Sequence, residues 1–474
     1  MPYIIIGLIV ILICFIVIRA LLFKPEQQSH VKTEHEIDEH HAYESLSKFI
    51  QFKTVSYEDP QLIDENSFEN LRTYLFERYP EIVKKAEFSM HGKGMLFKIK
   101  GKTSLNPVIL MSHYDVVPAS DGWQDDPFSG KITDSTIYGR GALDTKHSLN
   151  AILESVHIML IKGHSFQRDL YLSFGGDEET YGQSQIHIVN HLKEQGVNPY
   201  FVLDEGGAIV SDIFPGVKEK TAVIGIAEKG FLNVKLVAKS QGGHASTPPK
   251  QTPIVLLSKA VDKLNQHPSF KLRLTTPVKA LFQKIAPYSK SFVIRLLFAN
   301  LWLFLPLVKM IAKLSGGEFL SLFKTTQAFT MMKGSDAINV LPSEANISIN
   351  YRLIPGETSN IIVERIKKII KDPMIDVIVA EVNEASTISK MDEPFHLIED
   401  AIKRTWPDVI TAPYLMIATS DSRRYHQISD HVYKFSPMDV SNDDLAKIHG
   451  FDEDISKENV INGIHFYLNL LAQI

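Results

Sequence analysis

Three short apolar runs constrain the fold of this chain more than any other feature: Val108–Met111, Leu170–Phe174 and Tyr200–Leu203. Each is rich in aliphatic or aromatic residues and is bounded by polar or glycine-rich turns, as a buried strand requires. Between the first two, Leu149, Ile152, Leu153, Val156, Met159 and Leu160 recur at i, i+3, i+4 and i+7, the spacing of one helix face. Strand, helix, strand predicts an α/β fold with a mainly parallel central sheet. Ligands of such sheets gather beyond the carboxyl ends of the strands. Polar residues stand there in this chain: His113 and Asp115 after the first run, Glu178 and Glu179 after the second, and Asp204 after the third. A glycine-rich turn ending in Asp144 opens the helix.

His113 and Asp115 are two residues apart and share a face if the strand extends through them, so the carboxylate is placed to accept the ring N–H of a metal-bound imidazole. Of the adjacent acids Glu178 and Glu179, one can ligate a metal while its neighbour takes a proton from activated water. Singly, these residues read as a hydrogen-bonded strand-end histidine, a helix-capping aspartate and a solvated glutamate pair. Their combination points to metal-assisted hydrolysis. The only cysteine, Cys14, excludes an intramolecular disulfide and a cysteine-ligated zinc site, leaving His, Asp and Glu as ligands. Fifty basic against fifty-five acidic residues give no electrostatic reason for a nucleic-acid partner. At 474 residues, two or three domains, or one large domain with an insertion, are expected.

The N-terminus is apolar from Tyr3 to Phe23 with Arg19 as its only charge, which is long enough for a transmembrane anchor over residues 1–24. A cleaved signal peptide is the competing reading, against which stand the missing basic leader and cleavage site. Arg19 and Lys24 at its C-terminal end favour a cytoplasmic body by the positive-inside rule. The tract 25–41, with His30, His35, His40 and His41, reads as a polar, solvated stalk.

Five motifs carry a family resemblance: SHYDVVPA from Ser112, GRGALDTK from Gly139, GGDEETYG from Gly175, LDEGG from Leu203 and GGHAS from Gly242. In that order they resemble the co-catalytic zinc exopeptidases of metallopeptidase family 20, which includes aminoacylases, carboxypeptidases and dipeptidases. The closest likeness is to the subgroup of N-fatty-acyl-amino-acid synthase/hydrolase and Gly-X carboxypeptidase, which shares KIHGFDE around His449. The resemblance implies a dizinc exopeptidase-like catalytic domain binding two Zn2+ per chain. His113, Asp144 and Asp204 would hold one ion and Asp144, Glu179 and His449 the other, with Asp115 orienting His113 and Glu178 as general base. Three ligating carboxylates against two divalent ions leave one positive charge, which a bridging hydroxide would cancel. The same resemblance implies an extracytoplasmic location.

KGFLNVKLVAKS from Lys229 and NISINYRL from Asn346 alternate as strands, followed by a helix-like IIVERIKKII from Ile361. In the family such a segment is an inserted α+β lid, here expected over 228–382 between catalytic segments 42–227 and 383–474. The resemblance implies that His244 stabilises the oxyanion, that Asn339 and Arg352 grip the substrate carboxylate, and that a homodimer forms through the lid. Without the resemblance, His244 is a loop histidine and Arg352 a polar-face strand residue. The apolar stretch 282–323 exceeds what a compact lid needs; a core helix, a second span, and a helix at the membrane or acyl channel all fit it. The expected activity is cleavage, or formation, of the amide bond of N-acyl amino acids. A Gly-X carboxypeptidase or dipeptidase acting on small peptides is the near alternative. A non-catalytic membrane-anchored binding protein is the distant one, whose sign would be a missing ligand, and none is missing.

Overall fold

The computed structural model describes residues 2–25, 30–180, 182–211, 216–267 and 270–474. Tyr181 of the GGDEETYG motif and positions 26–29 of the expected stalk lie outside the described residues.

The three apolar runs form adjacent strands, Leu170–Gly175, Val108–His113 and Phe201–Asp204, paired in parallel at the centre of a ten-stranded sheet. Alternate side chains feed two cores, as strand geometry requires. Leu110, Leu172 and Leu203 face a large cluster that includes Leu149, Ile152 and Val156 of helix Lys146–Ile161. Ile109, Met111, Tyr171 and Val202 face Ile188, Val189 and Leu192 of helix Gln183–Glu194. The crossover through Lys146–Ile161 joins two parallel neighbours, the unit that the helix-periodic stretch predicts.

The sheet as a whole is mixed rather than mainly parallel. Ala86–His91 and Gly94–Ile99 add an antiparallel hairpin at one edge. Beyond Val432–Lys434 the order continues antiparallel to Thr221–Glu228, which also pairs in parallel with Ile410–Met416. Short connections at the edges permit hairpins, whereas parallel strands need crossovers.

A second, four-stranded sheet is wholly antiparallel, in the order Thr326–Lys333, Glu344–Leu353, Gly230–Lys239, Ile375–Asn383. Its buried face packs on helices Pro253–Gln266 and Ser359–Ile370 through Leu256, Leu257, Ile362 and Ile366. The alternation read from the sequence is the burial alternation seen in Glu344–Leu353.

The apolar stretch within 276–323 does not join that small core. Its helices pack on the large sheet: Val278, Leu281, Phe282, Leu301, Val308 and Ala312 cluster with Val223, Ala227, Ala412 and Leu415. The stalk expectation also fails from residue 30 on. His35 Nε2 lies 2.9 Å from Asn469 Oδ1, Thr33 N donates to Arg404 O, and His41 Nδ1 is 2.9 Å from Glu154 Oε1, in a tract that runs along the body. Polarity marked this tract as solvated, yet His35 and His41 have partners on the helices carrying Asn469 and Glu154.

At the antiparallel junction of the large sheet, Glu228 and Lys434 form a fully buried ion pair at 3.0 Å. Glu228→Gln leaves that ammonium without its counter-charge, at a cost of about 3–5 kcal/mol. The thermal midpoint is expected to fall, and Glu228→Leu combined with Lys434→Met to lose less than Glu228→Gln alone. Equal midpoints for parent and Glu228→Gln would remove the pair from the stability of the junction.

Candidate metal centre

Strand Val108–His113 ends by delivering His113, which is 3% exposed. Its Nδ1 lies 3.0 Å from the backbone oxygen of Asp115 and 3.4 Å from the Asp115 carboxylate, so the main chain is the nearer partner. Nε2 is turned into the cleft, 3.0 Å from Asp144 Oδ1 and 3.2 Å from Glu205 Oε1. The Asp115 carboxylate is buried and accepts from Glu178 N (3.2 Å), Glu179 N (3.1 Å) and the Ser56 hydroxyl (2.8 Å). One carboxylate thus fixes the strand end and the short turn Glu178–Thr180 together.

Asp144 comes from the glycine-rich turn, which is anchored from a distant part of the chain. Glu453, fully buried, accepts from Arg140 Nη1 (2.8 Å) and from the backbone N–H groups of Gly141 (3.1 Å), Leu143 (2.7 Å) and Asp144 (3.1 Å). Arg140 Nη2 donates to Gly450 O at 2.8 Å. This clamp brings the His449 turn over Asp144, with His449 Nε2 at 3.1 Å from Asp144 Oδ2 and 3.3 Å from Glu179 Oε2. The Lys146 amine, buried and pushed down to about 7 by that burial, donates to Phe49 O and Phe52 O, tying the other end of the turn to helix Glu39–Gln51.

The electrostatics are those of an acid-rich pocket out of water. Burial raises the carboxyls of Glu178 and Asp421 well above the ordinary range and that of Glu205 to about 7, and neighbouring acids add to each shift. Burial also raises Glu179 and Asp204. Asp144 goes the other way: burial opposes its ionisation, but hydrogen bonds with His113 and His449 hold it below the usual carboxylate range. His449 is held up to about 10 by Asp144 and Glu179, and His113, against its burial, well above its ordinary value by Glu205, Asp115 and Asp144. A field that draws protons onto imidazoles also draws cations.

The donor set fits divalent metal. His113, Asp144 and Glu179 offer ligand atoms within 4.8 Å of one another, as do His113, Glu178 and Glu205. Glu179 Oε1 is buried with no hydrogen-bond partner, which is costly unless a cation completes it. Imidazole and carboxylate donors suit zinc.

The structure gathers His113, Asp115, Asp144, Glu178, Glu179 and His449. Asp204, expected among the ligands, makes no hydrogen bond or ion pair with the His113 ring among the described residues. Its carboxylate accepts from Ser422 N at 3.1 Å, and Glu205 Oε1 lies 3.2 Å from His113 Nε2. Strand Phe201–Asp204 ends at Asp204, and successive side chains point to opposite sides, so the next residue faces the cleft. Both acids stand in LDEGG, and sequence alone does not say which one turns inward. Glu453 was also missed; its signal is its place three residues after Gly450 in the His449 motif.

The groups expected to hold substrate lie on the small sheet and its ribbon. His244 and Asn339 are exposed and adjacent: His244 pairs with Val340, and Asn339 O accepts from Ala245 N at 3.0 Å. His244 Nδ1 is 2.8 Å from the Ser246 hydroxyl. Arg352 is half-buried on Glu344–Leu353, its guanidinium 5.9 Å from the centre of the Phe231 ring. Among the described residues no hydrogen bond or ion pair joins any of the three to the His113 cluster.

Residues 109–473 match the family model described as peptidase family M20/M25/M40. The chain belongs to that family. It is 36% identical over 439 residues to "Probable carboxypeptidase S-like 2" of Dictyostelium discoideum, covering 90% of this chain and 83% of that one. It is 32% identical over 438 residues to the human N-fatty-acyl-amino acid synthase/hydrolase PM20D1, covering 90% and 86%. Among solved structures, an M20 family metallo-carboxypeptidase from Sulfolobus solfataricus superposes with a TM-score of 0.66 at 16% identity, over 91% of this chain and 98% of that one. Human carnosine dipeptidase 1 superposes at 0.62 and 16% identity, over 92% and 97%. These two share the fold. By family the chain is a hydrolase of amide or peptide bonds.

The inward turn of Glu205 has a direct test. Glu205→Gln is expected to weaken metal retention at least about tenfold, the loss that even a partner behind a ligand causes, while Asp204→Asn keeps the parent metal content by mass spectrometric metal analysis. The opposite pattern would return the ligand role to Asp204.

Proposed function

We propose that the chain is a membrane-anchored dizinc amidohydrolase of N-acyl amino acids, with N-fatty-acyl amino acids as its substrate class. The observation that carries this reading is the His113 cluster, with Glu178 held on its turn by the Asp115 carboxylate. Likeness to the N-fatty-acyl-amino acid synthase/hydrolases and the apolar helices on the large sheet support the acyl substrate.

Zinc ions held by His113, Asp144, Glu179, Glu205 and His449 would supply Lewis acidity toward the scissile carbonyl and the attacking water. Glu178 takes the proton of that water and returns it to the leaving amine. Asp115 acts through others, fixing the His113 ring and the Glu178 turn. Arg352 supports a carboxylate clamp. It has no acidic partner among the described residues, burial alone pulls its pKa down, and the Lys229 amine nearby, lowered to about 8 by burial and by Arg352, adds a second cation. A substrate carboxylate would neutralise this buried positive charge, whereas Asn339 and His244 stand beyond the other end of strand Glu344–Leu353 and would reach the substrate, His244 toward the oxyanion, from a second copy. In this reading residues 228–382 carry the lid on the small sheet, a second copy pairs through it, and the N-terminal helix anchors the chain in the bilayer.

A Gly-X carboxypeptidase or dipeptidase shares this chemistry and draws support from the carboxypeptidase S-like relative. The two readings part on substrate. N-oleoyl-phenylalanine should be cleaved with higher kcat/KM than Cbz-Gly-Leu, and the reverse order would establish the peptidase.

Glu178→Gln is expected to keep parent metal content and lower kcat by about 10²–10⁴, the contribution of a general base. Activity retained in metal-loaded Glu178→Gln would take the base role from Glu178.

Arg352→Lys should raise KM more than it lowers kcat for substrates with a free carboxylate, because lysine keeps the charge and loses the planar fork. The check is an amidated substrate. A mutant that discriminates acid from amide as well as the parent places the clamp elsewhere.

A further inference from the structure

Helices Phe292–Ala299 and Leu301–Ser315 meet at Asn300 with a bend of 119°, forming an elbow. One side of the elbow is core: Leu297, Leu301, Val308 and Ala312 are buried. The other side is also apolar. Val293 is 62% exposed, Trp302 57%, Met310 52% and Leu314 79%, with Leu303 and Leu307 between them. A helix facing water carries polar residues on its outer stripe. This one does not.

The charge along this stretch of the sequence is of one sign. From Lys263 to Gly317 the sequence has nine Lys or Arg residues and no Asp or Glu, in a chain whose net charge is −5. Lys290 and Lys313 are exposed around the elbow, and Lys24 follows the N-terminal helix.

That helix is physically joined to the elbow. The buried Asn300 donates to Ile16 O at 3.1 Å, and Arg19 Nη2 donates to Ala299 O at 3.0 Å. Ile16 and Ala20 are buried by the contact, while residues 3–15 are exposed. Tyr3–Leu22 has a mean hydropathy of 3.2 and a length of about 29 Å at 1.5 Å per residue, close to the hydrocarbon thickness of a bilayer. The joint at Ile16–Arg19 therefore lies about 5–9 Å from the end of the span, the depth at which amphipathic helices sit in an interface.

We propose that the elbow is a second, monotopic membrane contact. Its apolar outer face rests among the acyl chains of the leaflet where the N-terminal helix ends, and its lysines meet anionic headgroups. The bend and the buried inner face exclude a straight second span. An apolar cavity of about 260 Å³, lined by Phe282, Ile294, Leu297, Phe298, Val308 and Phe319, lies within the same unit and is thereby brought beside lipid. The inference rests on the reading of the N-terminal helix as an anchor.

The test uses the full chain in phosphatidylcholine/phosphatidylglycerol vesicles, with lipids brominated on the acyl chain as quenchers. Flotation reports the anchor. The emission lost in Trp302→Phe isolates Trp302 from the half-buried Trp123 and Trp406. We expect more than half of that component to be quenched by brominated lipid and little of it by aqueous iodide. A polarity-sensitive dye at Leu314→Cys, in a Cys14→Ser background, should report the same apolar setting. A chain that floats while Trp302 is quenched by iodide alone overturns the elbow contact and leaves the anchor standing. Shielding from both quenchers, as under a second copy, also overturns it. A chain that fails to float removes the anchor and the elbow contact together.

Discussion

Burying several carboxylates around two imidazoles is the constraint on which the structure turns, because each ion taken out of water costs several kcal/mol unless it is compensated. The compensation divides the acids into two kinds. Asp115 and Asp204 are satisfied by backbone N–H groups, from Glu178 and Glu179 in one case and Ser422 in the other. Asp144, Glu179 and Glu205 face imidazoles, and Glu179 Oε1 faces no donor. Acids that are already hydrogen bonded to the main chain hold geometry; acids left looking at one another and at ring nitrogens are the ones a cation would complete. The same distinction separates Asp204 from its neighbour Glu205.

Holding such a cluster requires rigid supports, and these are long-range. Glu453 reaches across 309 positions to the N–H of Asp144, and its ion pair with Arg140 is buried on both sides. The Trp123 ring, 4.9 Å from the Arg140 guanidinium, lies against that pair. A buried ion pair is a weak source of net stability and a good device for fixing one arrangement. Here it sets the register between the glycine-rich turn and the His449 turn, so that two ligand types from opposite ends of the catalytic sequence meet over Glu179. The His449 backbone, at φ 59°, is in the left-handed region, which a non-glycine residue occupies only when its surroundings hold it there.

The strand runs and the helix between them were legible because burial on both faces leaves an unbroken apolar signal. Most of the cluster was legible because ligands follow strand ends. The choice between Asp204 and Glu205 was not, since it depends on the residue at which the strand stops, and a one-residue change turns a side chain to the other side. The antiparallel edges escaped because a short strand such as Ile209–Val210 is too brief to carry a period. His35 and His41 looked solvated in a polar tract, and only tertiary structure places Asn469 and Glu154 against them. The small sheet's alternation was readable. Its separation from the apolar helices was not, because hydropathy marks that a segment seeks a core and is silent on which one.

Charge and hydropathy act in concert around the elbow. Apolar surface alone is non-directional, and a patch of this kind in water would pair with any other apolar patch. Exposed lysines such as Lys290 and Lys313 beside that apolar face make the surface selective, because they repel a second copy of themselves and attract an anionic sheet. Such attraction falls off within a Debye length, about 8 Å at physiological ionic strength. Close approach must therefore be supplied first, and the hydrogen bonds of Asn300 to Ile16 and of Arg19 to Ala299 supply it by tying the elbow to the apolar N-terminal helix.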